Sequence, residues 1–231
     1  MLKIKKLNVN NVLQDIDLEF ESGKTYVIMG SNGVGKSTLL HAIMGRPDLE
    51  VSGEIVLNNE VISDKEVHER AAAGLFLGFQ NPTPIPGLSN FQMIRQALNL
   101  TGAGIVSKLK DFKELSSGLD LPDMWDRKSI NTDASGGEKK KNELIQMNML
   151  DVSVAMLDEP DSGLDVDGID KLIETLNSWK SSDKTLVVVT HYEKLISGID
   201  PDVVIVLKST GPVIGEIDLA HRIFESGFKS V

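Results

Sequence analysis

Two apolar rhythms alternate along the chain. Lys3 to Val9 and Ile16 to Phe20 alternate apolar with polar residues, as edge or half-buried strands do. Thr25–Met29, Leu75–Phe79 and Val152–Leu157 are short apolar runs of strand length. Leu186–Thr190 is nearly continuous and β-branched, as expected of a strand covered on both faces. Between these runs the spacing turns helical: Phe91, Ile94, Ala97 and Leu98 form one stripe, and Ile169, Leu172, Ile173 and Leu176 another. Ser37 to Met44 reads as a helix that Gly45 ends. Capping-box spacing at Ser63–Glu66 predicts a helix to about Ala73, and Ser89–Gln92 repeats the signal. A third box, Ser135–Glu138, opens a helix to about Leu150. Hairpin turns are expected at Asn58-Asn59 and near Thr210-Gly211, with a terminal helix to Ser226.

Strands that alternate with helices imply a mostly parallel sheet. The early hairpin elements add a small antiparallel layer. Asn81 to Gly87 holds three prolines, so it reads as a loop and a subdomain boundary. After it, residues of about 88–148 look mostly helical, with interruptions at Gly102, Gly104, Gly118 and Pro122. The expected architecture is one α/β domain over residues 1–231, with an inserted α-helical subdomain at about 88–148.

Chemistry gathers at the ends of these elements. Thr25–Met29 runs into Gly30-Ser31-Asn32-Gly33-Val34-Gly35-Lys36-Ser37, which fits G-x-x-x-x-G-K-[ST]. Its glycines let backbone N–H groups turn towards an anion, and the next helix adds its positive end. Lys36 can reach β- and γ-phosphates, and Ser37 can hold Mg²⁺. Asp158 ends a second apolar strand, where a carboxylate can organise Mg²⁺; the adjacent Glu159 can orient or deprotonate an attacking water. Gln80 follows Leu75–Phe79 and could touch the metal or the water, or it could be a plain surface amide. His191, after Thr190, could bond a γ-phosphate; alone, a histidine at a strand end is more often structural. Ser135, Gly136 and Gly137 stand at a helix N-terminus able to bind a phosphate supplied by a second copy. Lys139, Lys140 and Lys141 read individually as a solvated helix face. Asp161 to Asp165 forms a polar turn that could cap a helix or cross a dimer seam.

Composition narrows the partners. The 231 residues carry a formal net charge of −10, which argues against broad binding to nucleic acid or an anionic membrane surface. No apolar run reaches the roughly 18 residues a membrane span needs. The N-terminus lacks the marks of a secretory signal, and a cytoplasmic location is expected. With no cysteine, the chain offers no disulfide, thiolate zinc site or cysteine-ligated cluster.

At these motifs the chain resembles the ABC ATPases over nearly its whole length, and within them most closely the SufC branch, the ATPases of the Suf iron–sulfur cluster assembly system. Four stretches carry the narrower likeness. Ser135-Gly136-Gly137-Glu138-Lys139-Lys140-Lys141-Asn142-Glu143 is similar to the SufC signature, with Glu138 where transporter ATPases more often have Gln. Phe79-Gln80-Asn81-Pro82 through Ile85-Pro86-Gly87 resembles the SufC glutamine loop, and Asp161–Asp167 with Thr190-His191-Tyr192 also matches. The resemblance implies a P-loop NTPase fold of the ABC nucleotide-binding type that hydrolyses ATP with Mg²⁺. Catalytic roles are implied for Glu159, His191 and Gln80, and metal contacts for Ser37, Gln80 and Asp158. Nucleotide contacts fall to Gly30 through Thr38 and to Ser135, Gly136, Gly137 and Glu138. It further implies a transient ATP-dependent homodimer working on SufB/SufD-type scaffold proteins; the missing cysteines leave any nascent cluster to that partner. The alternative is the ATPase subunit of an ABC membrane transporter. No aromatic around Asn8 to Val12 matches the adenine-stacking residue of many ABC ATPases, which leaves apolar contacts for the base.

Overall fold

The computed structural model describes residues 1–228. In chain order the elements are β1 (Leu2–Val9), β2 (Leu13–Phe20), β3 (Thr25–Met29), α1 (Lys36–Met44), β4 (Val51–Leu57), β5 (Glu60–Val61), α2 (Val67–Ala72) and β6 (Leu75–Gly78). Then come β7 (Ile85–Ser89), α3 (Asn90–Ala97), α4 (Ala103–Gly118), β8 (Ser129–Ile130), α5 (Gly136–Met149), β9 (Val154–Asp158) and α6 (Val166–Trp179). The series closes with β10 (Thr185–Val189), α7 (Glu193–Ile199), β11 (Val203–Val206), β12 (Val213–Gly215) and α8 (Ile217–Ser226).

The chain divides into two compact units. Among the described residues, the first comprises Met1–Leu77, Ser153–Pro160 and 180–228, and the second Gly78–Val152 and Asp161–Trp179. The first unit holds an antiparallel sheet in the order β2-β1-β4-β5 and a larger sheet in the order β12-β11-β3-β10-β9-β6. In the larger sheet β3, β10, β9 and β11 run parallel, and β12 turns back antiparallel on β11. Every residue of β3, β9 and β10 is buried, which is why their sequences lack polar alternation. By contrast β2 alternates buried and exposed positions along most of its length. One core joins both sheets of this unit, running from Leu2, Leu7 and Phe20 through Ile28 and Leu40 to Met156 and Val189. The turn between β4 and β5 has Asn58 and Asn59 at φ 50° and 68°, the left-handed pair that a two-residue hairpin requires.

The second unit is mostly helical and has its own core. The rings of Phe91 and Phe112 meet edge to face, 5.9 Å apart. Buried Asn142 donates to Asn90 and Asn131 and accepts from Trp125 Nε1, so its polar atoms are satisfied inside that core. Lys171 on α6 pairs with Asp120 just past α4.

Four local expectations need correction. The helix predicted from a cap at Ser63 is capped three residues later: Glu66, with Glu69, makes the capping box, and Ser63 instead accepts from the Ile55 N–H. The proline-rich segment is not all loop, because Ile85–Ser89 pairs with Ser129–Ile130 as a two-stranded ribbon inside the helical stretch. Gly104 interrupts nothing, since it lies in the first turn of α4. Lys140 is not on a solvated face; it is 5% exposed.

Candidate functional site

Three neighbouring strands of the first unit end together. Val189 of β10 lies in register with Ile28 of β3 on one side and Asp158 of β9 on the other. The phosphate loop, Asp158-Glu159 and His191 therefore leave the same, C-terminal edge of the sheet, where ligands of open α/β sheets bind. This grouping follows from topology, since the chain order of the strands differs from their order in space.

In the phosphate loop, Gly35 caps α1 at φ 107°, a conformation that costs a side-chain-bearing residue dearly. A Cβ there would meet Leu13 Cδ2 at 2.6 Å and Val12 Cγ1 at 3.0 Å. The loop is thus a cradle that an added methyl group would fill, backed by the apolar β1–β2 turn. Lys36 is 7% exposed, and its Nζ donates to Gly30 O at 2.7 Å and Ser31 O at 3.1 Å. Burial lowers its pKa, and the charges of Glu159 and Asp158 pull partly the other way. A buried ammonium that holds the loop's own carbonyls, at a helix N-terminus, suits a polyphosphate. Val12 is 45% exposed beside Gly35, so an apolar surface stands where a nucleotide base could rest.

Asp158 is buried at the end of β9. Glu159 has φ 47°, a strained setting for a residue with a side chain, and its N–H donates to Val189 O at 2.9 Å. That bond to the neighbouring strand fixes where the chain turns away. Thr190 is fully buried, and its Oγ1 accepts from the Tyr192 N–H at 3.0 Å, which shapes the turn carrying His191. The His191 ring meets Phe228 edge to face at 5.7 Å, a contact that sequence reading missed because the partners are 37 positions apart. Ser37, in the first turn of α1, and Asp158, at the end of β9, carry oxygen atoms of the kind that Mg²⁺ takes.

The second unit carries Gln80, the Ser135 helix end and the Asp161–Asp165 turn. Gln80 is exposed. Ser135 caps α5 through a full capping box: its Oγ accepts from the Glu138 N–H at 3.2 Å, and Glu138 Oε2 accepts from the Ser135 N–H at 2.7 Å. Glu138 is therefore a cap that presets the helix end. Gly137 is a point of close approach: a Cβ there would stand 3.3 Å from Gly163 O and 3.5 Å from Leu164. The Asp161–Asp165 turn thus backs directly onto the glycine end of α5. Asp165 also works as a helix cap, accepting from the Gly168 N–H at 2.8 Å. Lys140 and Glu143, given no individual role on the sequence, are both buried. Their signal was a charged pair one helical turn apart in a stretch otherwise bound for the interior.

The family described as ABC transporter matches residues 13–162. A Synechocystis protein named as a probable ATP-dependent transporter is 40% identical, over 99% of this chain and 94% of its own length. Vegetative protein 296 of Bacillus subtilis is 38% identical, over 98% of this chain and 91% of its own. Among solved structures, the dimeric form of a bacterial ABC transporter cassette superposes with a TM-score of 0.78. That match covers 94% of this chain and 99% of that one at 22% identity, a likeness of fold. The same holds at 21% identity for a cassette in a post-hydrolysis state bound to ADP and Pi.

Proposed function

The chain belongs to the ABC ATPase family, and from that membership we propose that two copies of it close around two ATP molecules and reopen on hydrolysis, working a separate partner as they do so. It is an ATP-binding ABC ATPase with the P-loop NTPase fold of a nucleotide-binding cassette. The observation that carries the mechanism is the distribution of parts. The first unit supplies the phosphate loop, Asp158, Glu159 and His191, while the N-terminal end of α5 at Ser135 is exposed on the second.

In this reading Lys36 and the N-terminus of α1 take the β- and γ-phosphates of an ATP whose far side meets the Ser135–Gly137 end of the other copy. Mg²⁺, held by Ser37 and Asp158, would neutralise phosphate charge. Glu159 orients or deprotonates the attacking water, and His191 bonds the γ-phosphate. ATP shifts the open–closed balance only so far as it binds the closed pair better. The direct test is Glu159→Gln with Mg-ATP, followed by light scattering after gel filtration. A stable dimer that needs ATP supports the clamp; a monomer under all conditions refutes it for the isolated chain.

The partner divides two readings. The names of the relatives, an ATP-dependent transporter in Synechocystis and ABC transporter ATP-binding proteins in Streptococcus pyogenes, fit a membrane-transport partner better than an iron–sulfur scaffold. A SufB/SufD-type scaffold remains the second reading, favoured by the run Ser135–Glu143, with Glu in place of the transporters' usual Gln at 138. A pull-down from native cells separates them: integral membrane proteins retained with the chain support the first, soluble scaffold subunits the second.

A further inference from the structure

The helix that presents Ser135 also grips the residue before Gln80 from both sides. Glu143 Oε1 accepts from the Phe79 N–H at 2.7 Å, and Lys140 Nζ donates to the Phe79 carbonyl at 2.5 Å. The two charged groups are 4.0 Å apart, with side chains 5% and 8% exposed. The Phe79 ring is 47% exposed, so burial of the ring does not hold this point of the chain.

A buried charge pair is a poor device for stability alone. Desolvation offsets most of the attraction, and apolar residues of similar volume often serve as well. What the pair adds is geometry: an ammonium and a carboxylate, one turn apart on α5, fix one residue's carbonyl and N–H together. Any movement of α5 along or about its axis must be passed to Phe79, and through one covalent link to Gln80. We infer that Lys140 and Glu143 are positioning residues that hold Gln80 in register with the Ser135 helix end. Engagement of a phosphate at that end then sets where Gln80 stands. The inference deepens the clamp reading and rests on it.

The test is a kinetic cycle on the full chain with Mg-ATP. Glu143→Gln is the first variant, and Lys140→Gln/Glu143→Gln the second, since it leaves no single buried charge uncompensated. Each is made with and without Gln80→Ala. The expected result is a fall in kcat of about tenfold with KM changed less than about twofold. On a Gln80→Ala background the same substitutions cost nothing further, because the pair acts through that glutamine. Lys140→Arg, which keeps a donor for the Phe79 carbonyl, stays near wild type. Losses that multiply with Gln80→Ala, or a rise in KM at unchanged kcat, overturn the inference. A wild-type chain without ATP turnover refutes the underlying clamp reading, whereas an active wild type with multiplying losses refutes this step alone.

Discussion

Lys36 shows how one residue sets the terms of binding. Its ammonium is buried, which disfavours the charge, and Glu159 and Asp158 only partly restore it. The proton is therefore lost at lower pH than from a lysine in water. ATP affinity should fall on the alkaline side as pH rises through that lowered pKa, and Lys36→Arg should flatten the fall. Lys36→Ala should weaken binding about tenfold or more at neutral pH, as loss of a charge-assisted contact does. Calorimetric titration of ATP across pH checks both, and an affinity unchanged in Lys36→Ala removes the role. This residue was legible because its motif admits few spacings. Lys140 was not, since a Lys–Glu pair one helical turn apart suits a solvated face as well, and its partner is a backbone group 61 positions away.

At the scale of elements, ends decide placement. The start of α5 was legible to the residue because its capping box is written in four consecutive positions. The start of α2 was misplaced by three because Ser63 and Glu66 both suit a cap, and only the tertiary bond from Ile55 N–H to Ser63 Oγ decides between them. The ribbon of β7 and β8 was missed because two short strands 40 positions apart carry no period long enough to read. The α1 end has a further support. Buried Arg70 donates to Ala42 O at 3.0 Å and Ile43 O at 2.8 Å, and also to Ser63 O and Lys65 O. It thereby supplies a donor to Ile43 O in the last turn of the phosphate-loop helix and a second one to Ala42 O, which also accepts from the Gly45 N–H at 3.1 Å. Arg70→Met should cost about 2–4 kcal/mol, because buried carbonyls lose their donor. Urea unfolding measures this, and a loss below about 0.5 kcal/mol would show that the carbonyls find other donors.

For the whole molecule, alternation of strand and helix made a parallel sheet legible, yet the spatial order β11-β3-β10-β9 was not, because each neighbour is set by a crossover rather than by local sequence. That order is what brings the phosphate loop, Asp158-Glu159 and His191 to one edge. The clamp adds a claim beyond one chain: a working site takes its phosphate loop from one copy and its Ser135 helix end from another. Mixing Lys36→Ala chains with chains carrying Ser135→Arg tests this most directly, since either alone has no complete site, while a mixed dimer has one. The account predicts no ATP turnover from either variant alone and recovered turnover on mixing. If the mixture stays inactive while wild type hydrolyses ATP under the same conditions, the shared site is contradicted.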